Sequence, residues 1–332
     1  MDAMSNQASI DISPARVRIC DMRDGQAVEA VVAIRSHERR TARNGNDFLS
    51  FTFGDASGTL KGVAWDNVDE IQAAASGVVV VAGRYSDDPK WGAQIKVTAL
   101  RAAADGEYSL DDLVDKPAIE VERLEADLRD LIETVQNPQL RALLDDLLGP
   151  SSEVWQRFRE APAAKVYHQA YRHGLLEHTL SVAQAVSAAA SYFPGIDRDV
   201  AVTGALLHDI GKTMAYNDDP LAIDLTDAGR LQGEIPLGYY LVRSRIERIE
   251  GFDPALAQHV LHIILSHHGA LEHGSPVVPA TREATLVHSL DNLGGKLGSF
   301  DRLERELAEG EAWSRFDRAL EGSAYFSART AA

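Results

Sequence analysis

The sequence predicts two domains of different class, an all-β barrel followed by an all-α domain. Three observations predict it. Residues from about 16 to 104 read as short strands parted by Gly, Asp and Asn turns. Residues 161–300 carry helical periodicity almost throughout. Ten of the eleven histidines fall between positions 168 and 288, inside the helical half.

In the front half, "AVEAVVAIRS" alternates loosely and "DFLSFTFGD" strictly between apolar and polar positions, the period of a half-buried strand. "GTLKGVAW", "GVVVVAGRY" and "AQIKVTALRA" follow at short intervals. Between the third and fourth strands, "DNVDEIQAAAS" reads as a short amphipathic helix capped by Asp66 or Asn67. Three strands, a helix and two strands is the order of a five-stranded OB barrel, expected over 16–104 after a flexible 1–15; another small barrel is the alternative. In "DFLSFTFGD", Leu49, Phe51 and Phe53 form the face expected to fill the barrel, which leaves Phe48 outward.

Residues 105–160 hold 15 acidic and 6 basic groups, with leucines at helical spacing and breaks at Pro138 and Pro150. They are expected to be an acidic helical connector. A helical domain is expected over 161–310. The chain then reads as the end of an acidic helix, "DRLERELAEGEAWSRFDRAL", and a polar tail over 311–332.

The net charge of −17 argues against a protein that coats nucleic acid by charge alone. Residues 1–104 hold 12 basic and 13 acidic groups, a net of −1, so the remainder carries −16. The front half thus remains able to hold a polyanion. One cysteine, Cys20, read as a small hydrophobe near a strand, excludes a disulfide framework and a cysteine-rich zinc module. No apolar run is long enough to span a membrane, and no signal peptide is recognised, so a cytoplasmic location is the expectation.

The helical half carries the chemistry. His178 lies in "GLLEHTLSVAQAV" on the face of Leu175 and Val182. "DVAVTGALLHDIGK" ends in His208 and Asp209, and Gly211 suits a left-handed helix cap. Asp253 and Pro254 start "ALAQHVLHIILSHHG", with His262, His267 and His268. Thr281 caps "REATLVHSLDNLGGKLG", where His288 and Asp291 share a face. Imidazoles and carboxylates without cysteine suit a hydrolytic Mn, Fe, Mg or Zn centre rather than a structural zinc clip.

The series His178, His208-Asp209 and Asp291, with "LLHDIGK" at its centre, resembles the HD superfamily of metal-dependent phosphohydrolases. "GLLEHTLSV", "SHHGALEHGSPVVP", "HSLDNLGGK" and the front segment "FLSFTFGDASGTLKGVAWDN" resemble the YhaM-type 3′→5′ exoribonucleases, which join an OB fold to an HD domain. The resemblance makes His178, His208, Asp209 and Asp291 ligands of a first divalent ion, with Mn2+ favoured over Mg2+, Fe2+, Co2+ and Zn2+. It makes His267 a ligand of a second ion. His268 shares that role or contacts the scissile phosphate. Where many relatives read Gly-His, this chain reads "LQGEIPLG", with Glu234 in the histidine's place. A carboxylate still binds a hard cation, so Glu234 is taken as a retained ligand.

The activity implied is hydrolysis of single-stranded RNA, or DNA, from the 3′ end to nucleoside 5′-monophosphates. Asp209 is the expected bridge between ions and Lys212 the clamp on a phosphate oxygen. Lys165 and His168 are further phosphate candidates. On the barrel, Arg39, Arg40 and Arg43 are placed in the first inter-strand loop and Lys90 and Trp91 in the last, the loops OB folds use; Phe48 is the stacking candidate and Trp65 is read as packing. Two readings stay open beside this one: a phosphohydrolase of nucleotides or cyclic nucleotides with a regulatory barrel, and a non-catalytic OB nucleic-acid-binding protein. Homo-oligomers remain compatible with the sequence. The segment "HHGALEHGSP" lacks the Gly-Tyr-Pro signature of cyclic-dinucleotide enzymes, and the intact ligand series speaks against an inactive domain.

Overall fold

A computed structural model describes residues 17–88, 92–165, 169–305, 307 and 310–327. The chain divides into two compact units, residues 1–115 and 116–332.

The first unit is a closed barrel. Its strands are Ala27–Thr41 (β1), Asp47–Asp55 (β2), Gly58–Ala64 (β3), Val78–Asp88 (β4) and Gly92–Ala102 (β5), and a helix, Val68–Ala74 (α1), lies between β3 and β4. The order around the barrel is β1-β2-β3-β5-β4. β3 and β5 pair in parallel and β1 pairs antiparallel with β4, which closes the ring. This is the expected OB fold. Leu49, Phe51 and Phe53 are buried with Val32, Val79, Val81 and Ile95 in one core, as the alternation of "DFLSFTFGD" requires.

Three local expectations differ. β1 runs on to Thr41 because Arg39, Arg40 and Thr41 pair with Leu49, Phe48 and Asp47, so Arg39 and Arg40 lie on a strand and only Arg43 in the turn. α1 starts after Asn67, which adopts a left-handed conformation (φ 52°) and gives no side-chain cap. Cys20 is exposed, in a short 3-10 turn.

The second unit holds the helices Val121–Glu133 (α2), Pro138–Leu148 (α3), Trp155–Glu160 (α4), Gly174–Ala190 (α5), Arg198–Leu207 (α6), Lys212–Ala215 (α7), Asp227–Gln232 (α8), Glu234–Ile246 (α9), Pro254–Ser266 (α10) and Arg282–Arg305 (α11). A hairpin of Trp313–Asp317 (β6) and Gly322–Tyr325 (β7) follows, so 313–317 is strand where a helix was expected. α6 is buried on every side from Val200 to Leu207 and forms the axis of the unit. Gly204 lets α10 close on it, since a Cβ there would stand 2.3 Å from Ile263 Cδ1.

The acidic segment before this unit's histidines is part of its core. Leu124, Leu128, Leu140, Leu143, Leu144 and Leu147 of α2 and α3 are buried in the cluster that contains α5, α6 and α10. The charged residues of the same helices line the opposite face, which is why the composition alone suggested a connector. No helix among the described residues is long and apolar enough to cross a membrane.

Candidate metal centre

Helices α5, α6, α9, α10 and α11 deliver the candidate ligands to one place. Asp197 accepts hydrogen bonds from Asp199 N and Val200 N and so fixes the start of α6. Ten residues later α6 ends, and His208 and Asp209 leave it fully buried. Asp253 accepts from Ala255 N, Pro254 follows as the first helical residue, and α10 ends at His267 and His268. Thr281 Oγ1 accepts from Ala284 N at the start of α11, which carries Asp291. His178 sits on the buried side of α5.

His178 Nε2 lies 3.1 Å from Asp291 Oδ1, 3.3 Å from Asp209 Oδ2 and 3.4 Å from His208 Nε2. His208 Nε2 lies 3.3 Å from Asp209 Oδ2 and 3.8 Å from Asp291 Oδ1. Donor atoms about 2.1 Å from one ion and at right angles stand about 3.0 Å apart, so this set fits a single divalent cation. Among the described residues, the ligand atoms of His178, His208 and Asp291 all lie within 4.8 Å of one another. His208 Nδ1 faces Ala205 O at 2.7 Å and His267 Nδ1 faces Ile264 O at 2.8 Å. An imidazole that donates from Nδ1 presents the lone pair of Nε2 to a metal.

A second grouping adjoins the first. His267 Nε2 lies 3.5 Å from Asp209 Oδ1, and both atoms are buried without a hydrogen-bond partner. His268 Nε2 lies 3.6 Å from Glu234 Oε1, and the rings of His267 and His268 are 4.3 Å apart. The oxygens of Asp209 thus face different partners, Oδ2 the first set and Oδ1 His267. Lys212 Nζ donates to Asp209 Oδ2 at 2.6 Å.

The electrostatics favour a cation. Burial would raise the pKa values of Asp209 and Asp291, but Lys212 and His208 beside Asp209, and His178 and His208 beside Asp291, hold both carboxyls well below their ordinary range. Burial would lower that of His178, but the Asp209 and Asp291 carboxylates raise it to about 9. Without metal, the carboxylates draw protons onto His178 and His267. A divalent ion would replace those protons.

Gly211 has the right-handed conformation (φ −64°), not the expected left-handed cap. It is small for another reason: a Cβ would stand 2.0 Å from Glu234 O and 2.6 Å from Gly238 N. The "HDIGK" turn and the start of α9 therefore touch backbone to backbone, which brings Glu234 to the site. His262 lies apart from the ligands and accepts from Ala280 N through Nε2 at 2.8 Å, tying down the loop before α11.

Other candidates are placed less directly. Lys165 pairs with Asp224 at 2.8 Å, and His168, Lys90 and Trp91 lie outside the described residues. On the barrel, Arg39 is bound to Asp47, Asp69 and Gln72, bracing β1 against β2 and α1, and Arg40 pairs with Glu38. Arg43 is exposed. Phe48 stacks on Trp65 with ring centroids 4.4 Å apart, and Trp65 is half exposed, not packed as expected. The sequence reading passed over Gln169, whose Oε1 lies 3.1 Å from His178 Nδ1, and gave no role to His288, whose Nδ1 lies 2.7 Å from His267 O. No spacing rule singles out such supporting contacts, because loop and helix packing create them.

Residues 175–295 match the family model of the HD domain, and this span takes in His178, His208, Asp209, Glu234, His267, His268 and Asp291. The helical unit holds an HD domain. Among solved structures, the second OB-fold domain of replication protein A from Methanococcus maripaludis is 15% identical, over 29% of this chain and 98% of that one, with a TM-score of 0.22. Asparaginyl-tRNA synthetase from Entamoeba histolytica is 12% identical over 36% of this chain and 34% of its own, with a TM-score of 0.23. Aspartyl-tRNA synthetase from the same organism is 11% identical over 50% and 34%, with a TM-score of 0.21. The chain spans about a third of the length of either synthetase. The barrel is an OB fold by its strand order and closure, and the HD domain supports a metal-dependent phosphohydrolase.

Proposed function

We propose that the protein is a metal-dependent 3′→5′ exonuclease that shortens single-stranded RNA, with DNA as a second substrate, to nucleoside 5′-monophosphates. The observation that carries the hydrolytic part is the buried convergence of His178, His208, Asp209 and Asp291 beside the unpartnered Asp209 Oδ1 and His267 Nε2. Divalent ions held there, Mn2+ by preference, would supply Lewis acidity and acidify a water near neutral pH. His178, His208, Asp209 and Asp291 would hold the first ion. Asp209, His267, His268 and Glu234 would hold a second.

Lys212 neutralises Asp209 in the free protein, and its ammonium is placed to move onto a non-bridging phosphate oxygen when substrate enters. Burial and the neighbouring His267 charge lower the pKa of His268, which keeps its imidazole neutral for ligation or for a contact with the scissile phosphate. The Phe48–Trp65 stack supports a single-stranded substrate, because the half-exposed Trp65 ring, backed by Phe48, offers a base a stacking surface whatever its identity. Lys61 and Lys96 lie on the same outer face, through the pairings Thr52–Lys61 and Val63–Lys96, where they can follow a phosphate backbone. The 3′ polarity rests on the resemblance to YhaM-type enzymes.

The test is incubation with Mn2+ and 5′-labelled single-stranded RNA, single-stranded DNA and a cyclic dinucleotide. A ladder of shortened oligonucleotides supports the reading. Cleavage of the dinucleotide alone, or oligonucleotide binding without turnover that is unchanged by Asp209→Ala, overturns it.

A further inference from the structure

We infer that Gln169 is a positioning residue that holds the Nδ1–H of His178 and thereby aims Nε2 at the metal. The inference rests on the metal-centre reading above. Gln169 Oε1 lies 3.1 Å from His178 Nδ1, and Gln169 Nε2 lies 3.4 Å from Glu177 Oε2. A carboxylate only accepts, so Glu177 fixes which way the amide points: its NH2 faces Glu177 and its oxygen faces His178. An amide oxygen also only accepts, so His178 Nδ1–H donates to it. Nε2 faces the Asp291 and Asp209 carboxylates at 3.1 and 3.3 Å, and a metal ion would take the place of its proton there.

Glu177 is itself held, by the Tyr171 hydroxyl and by Ala118 N at 3.3 Å. The backbone around Gln169 is equally constrained. Gln169 has φ 59°, a left-handed conformation that costs a non-glycine residue energy and persists only where the surroundings demand it. Its carbonyl accepts from Ala163 N at 3.1 Å, and Gly174, the first residue of α5, has no room for a side chain because a Cβ would stand 2.1 Å from Gln169 O. The strained loop thus presents one amide to one imidazole. Outer partners of this kind typically change metal affinity by about 10–100-fold when removed.

The test uses the full chain with Mn2+ as the probe. Metal affinity is measured by calorimetry, and the His178 Nδ1–H hydrogen bond is read in the metal-free protein from the 1H and 15N shifts of that group. Gln169→Met keeps the length but loses the acceptor. It is expected to weaken Mn2+ binding by about 10–100-fold and to move the His178 Nδ1–H proton shift upfield as its hydrogen bond is lost. The exchange Gln169→Glu with Glu177→Gln restores one donor and one acceptor in reverse order, and is expected to recover affinity to within about threefold, inside the range lost. Wild-type affinity in Gln169→Met, or an unchanged Nδ1–H shift, overturns the inference. Failure of the wild type to bind Mn2+ overturns the metal-centre reading instead, and the metal-free 15N spectra then decide the role of Gln169 by themselves.

Discussion

Asp209 Oδ1 and His267 Nε2 face each other across 3.5 Å in the interior of the helical unit, and neither atom has a hydrogen-bond partner. His267 Nδ1 is engaged with Ile264 O, so Nε2 can offer a lone pair. Burial lowers the His267 pKa, but the Asp209 carboxylate raises it above its ordinary value. The pair therefore demands positive charge, and a proton or a metal ion is the choice. Leaving either atom without such a partner costs about 1–3 kcal/mol.

Metal should consequently stabilise the helical unit. At a Mn2+ concentration 100 times the dissociation constant, the gain is about 2.7 kcal/mol, visible as a rise in Tm that EDTA reverses. Asp209→Asn retains the shape but loses the charge shared by both ligand sets. Its Mn2+-dependent rise in Tm should be abolished, and a full rise in that variant would remove Asp209 from the site.

In the proposed centre, Glu234 is a ligand of the second ion. Glu234→Ala should lower bound Mn2+ from two ions per chain to one by elemental analysis, whereas Glu234→His should retain two. Equal stoichiometry in the wild type and Glu234→Ala would assign the second ion to other residues.

Gly211 sets the approach of Glu234. In Gly211→Ala the new Cβ would press on Glu234 O, which must shift by more than 1 Å to relieve a 2.0 Å contact. The expected cost is about 1–3 kcal/mol by denaturant unfolding, with weaker binding of the second ion. Unchanged stability would show that α9 yields easily.

On the barrel, Phe48→Ala or Trp65→Ala should each weaken single-stranded RNA binding by about 1–3 kcal/mol. The two losses should not add, because the rings stack on each other. Hydrolysis of a small chromogenic phosphodiester, which has no bases to stack, should remain at the wild-type rate. Oligonucleotide affinity unaffected in both variants would place the nucleic-acid surface elsewhere.

Leu128 tests where the acidic segment belongs. It is fully buried in the core shared with α5 and α6. Leu128→Ala should destabilise the helical unit by about 2–5 kcal/mol, whereas a leucine on a solvated connector would change stability by less than about 0.5 kcal/mol. Thermal unfolding followed by circular dichroism distinguishes the two.

The sequence by itself determined the barrel, the helical unit and the ligand types. Alternation in "DFLSFTFGD" is a local property that assigns Leu49, Phe51 and Phe53 inward, and capping by Asp253 and Thr281 is equally local. The "HDIGK" segment was legible as a ligand source because adjacent His and Asp at a helix end is a feature of the chain alone. Only the tertiary structure decided the rest. It placed α2 and α3 in the core, since a mixed charged and leucine-rich composition does not say which face is covered. It turned Arg39 into a brace by bringing Asp69 from thirty residues away. It put Gln169 against His178 and Glu234 O against Gly211, contacts between segments whose spacing in the chain carries no period. Ligand identity is written in side chains, whereas ligand orientation arises from the packing of distant backbone, and only the folded chain brings that backbone together.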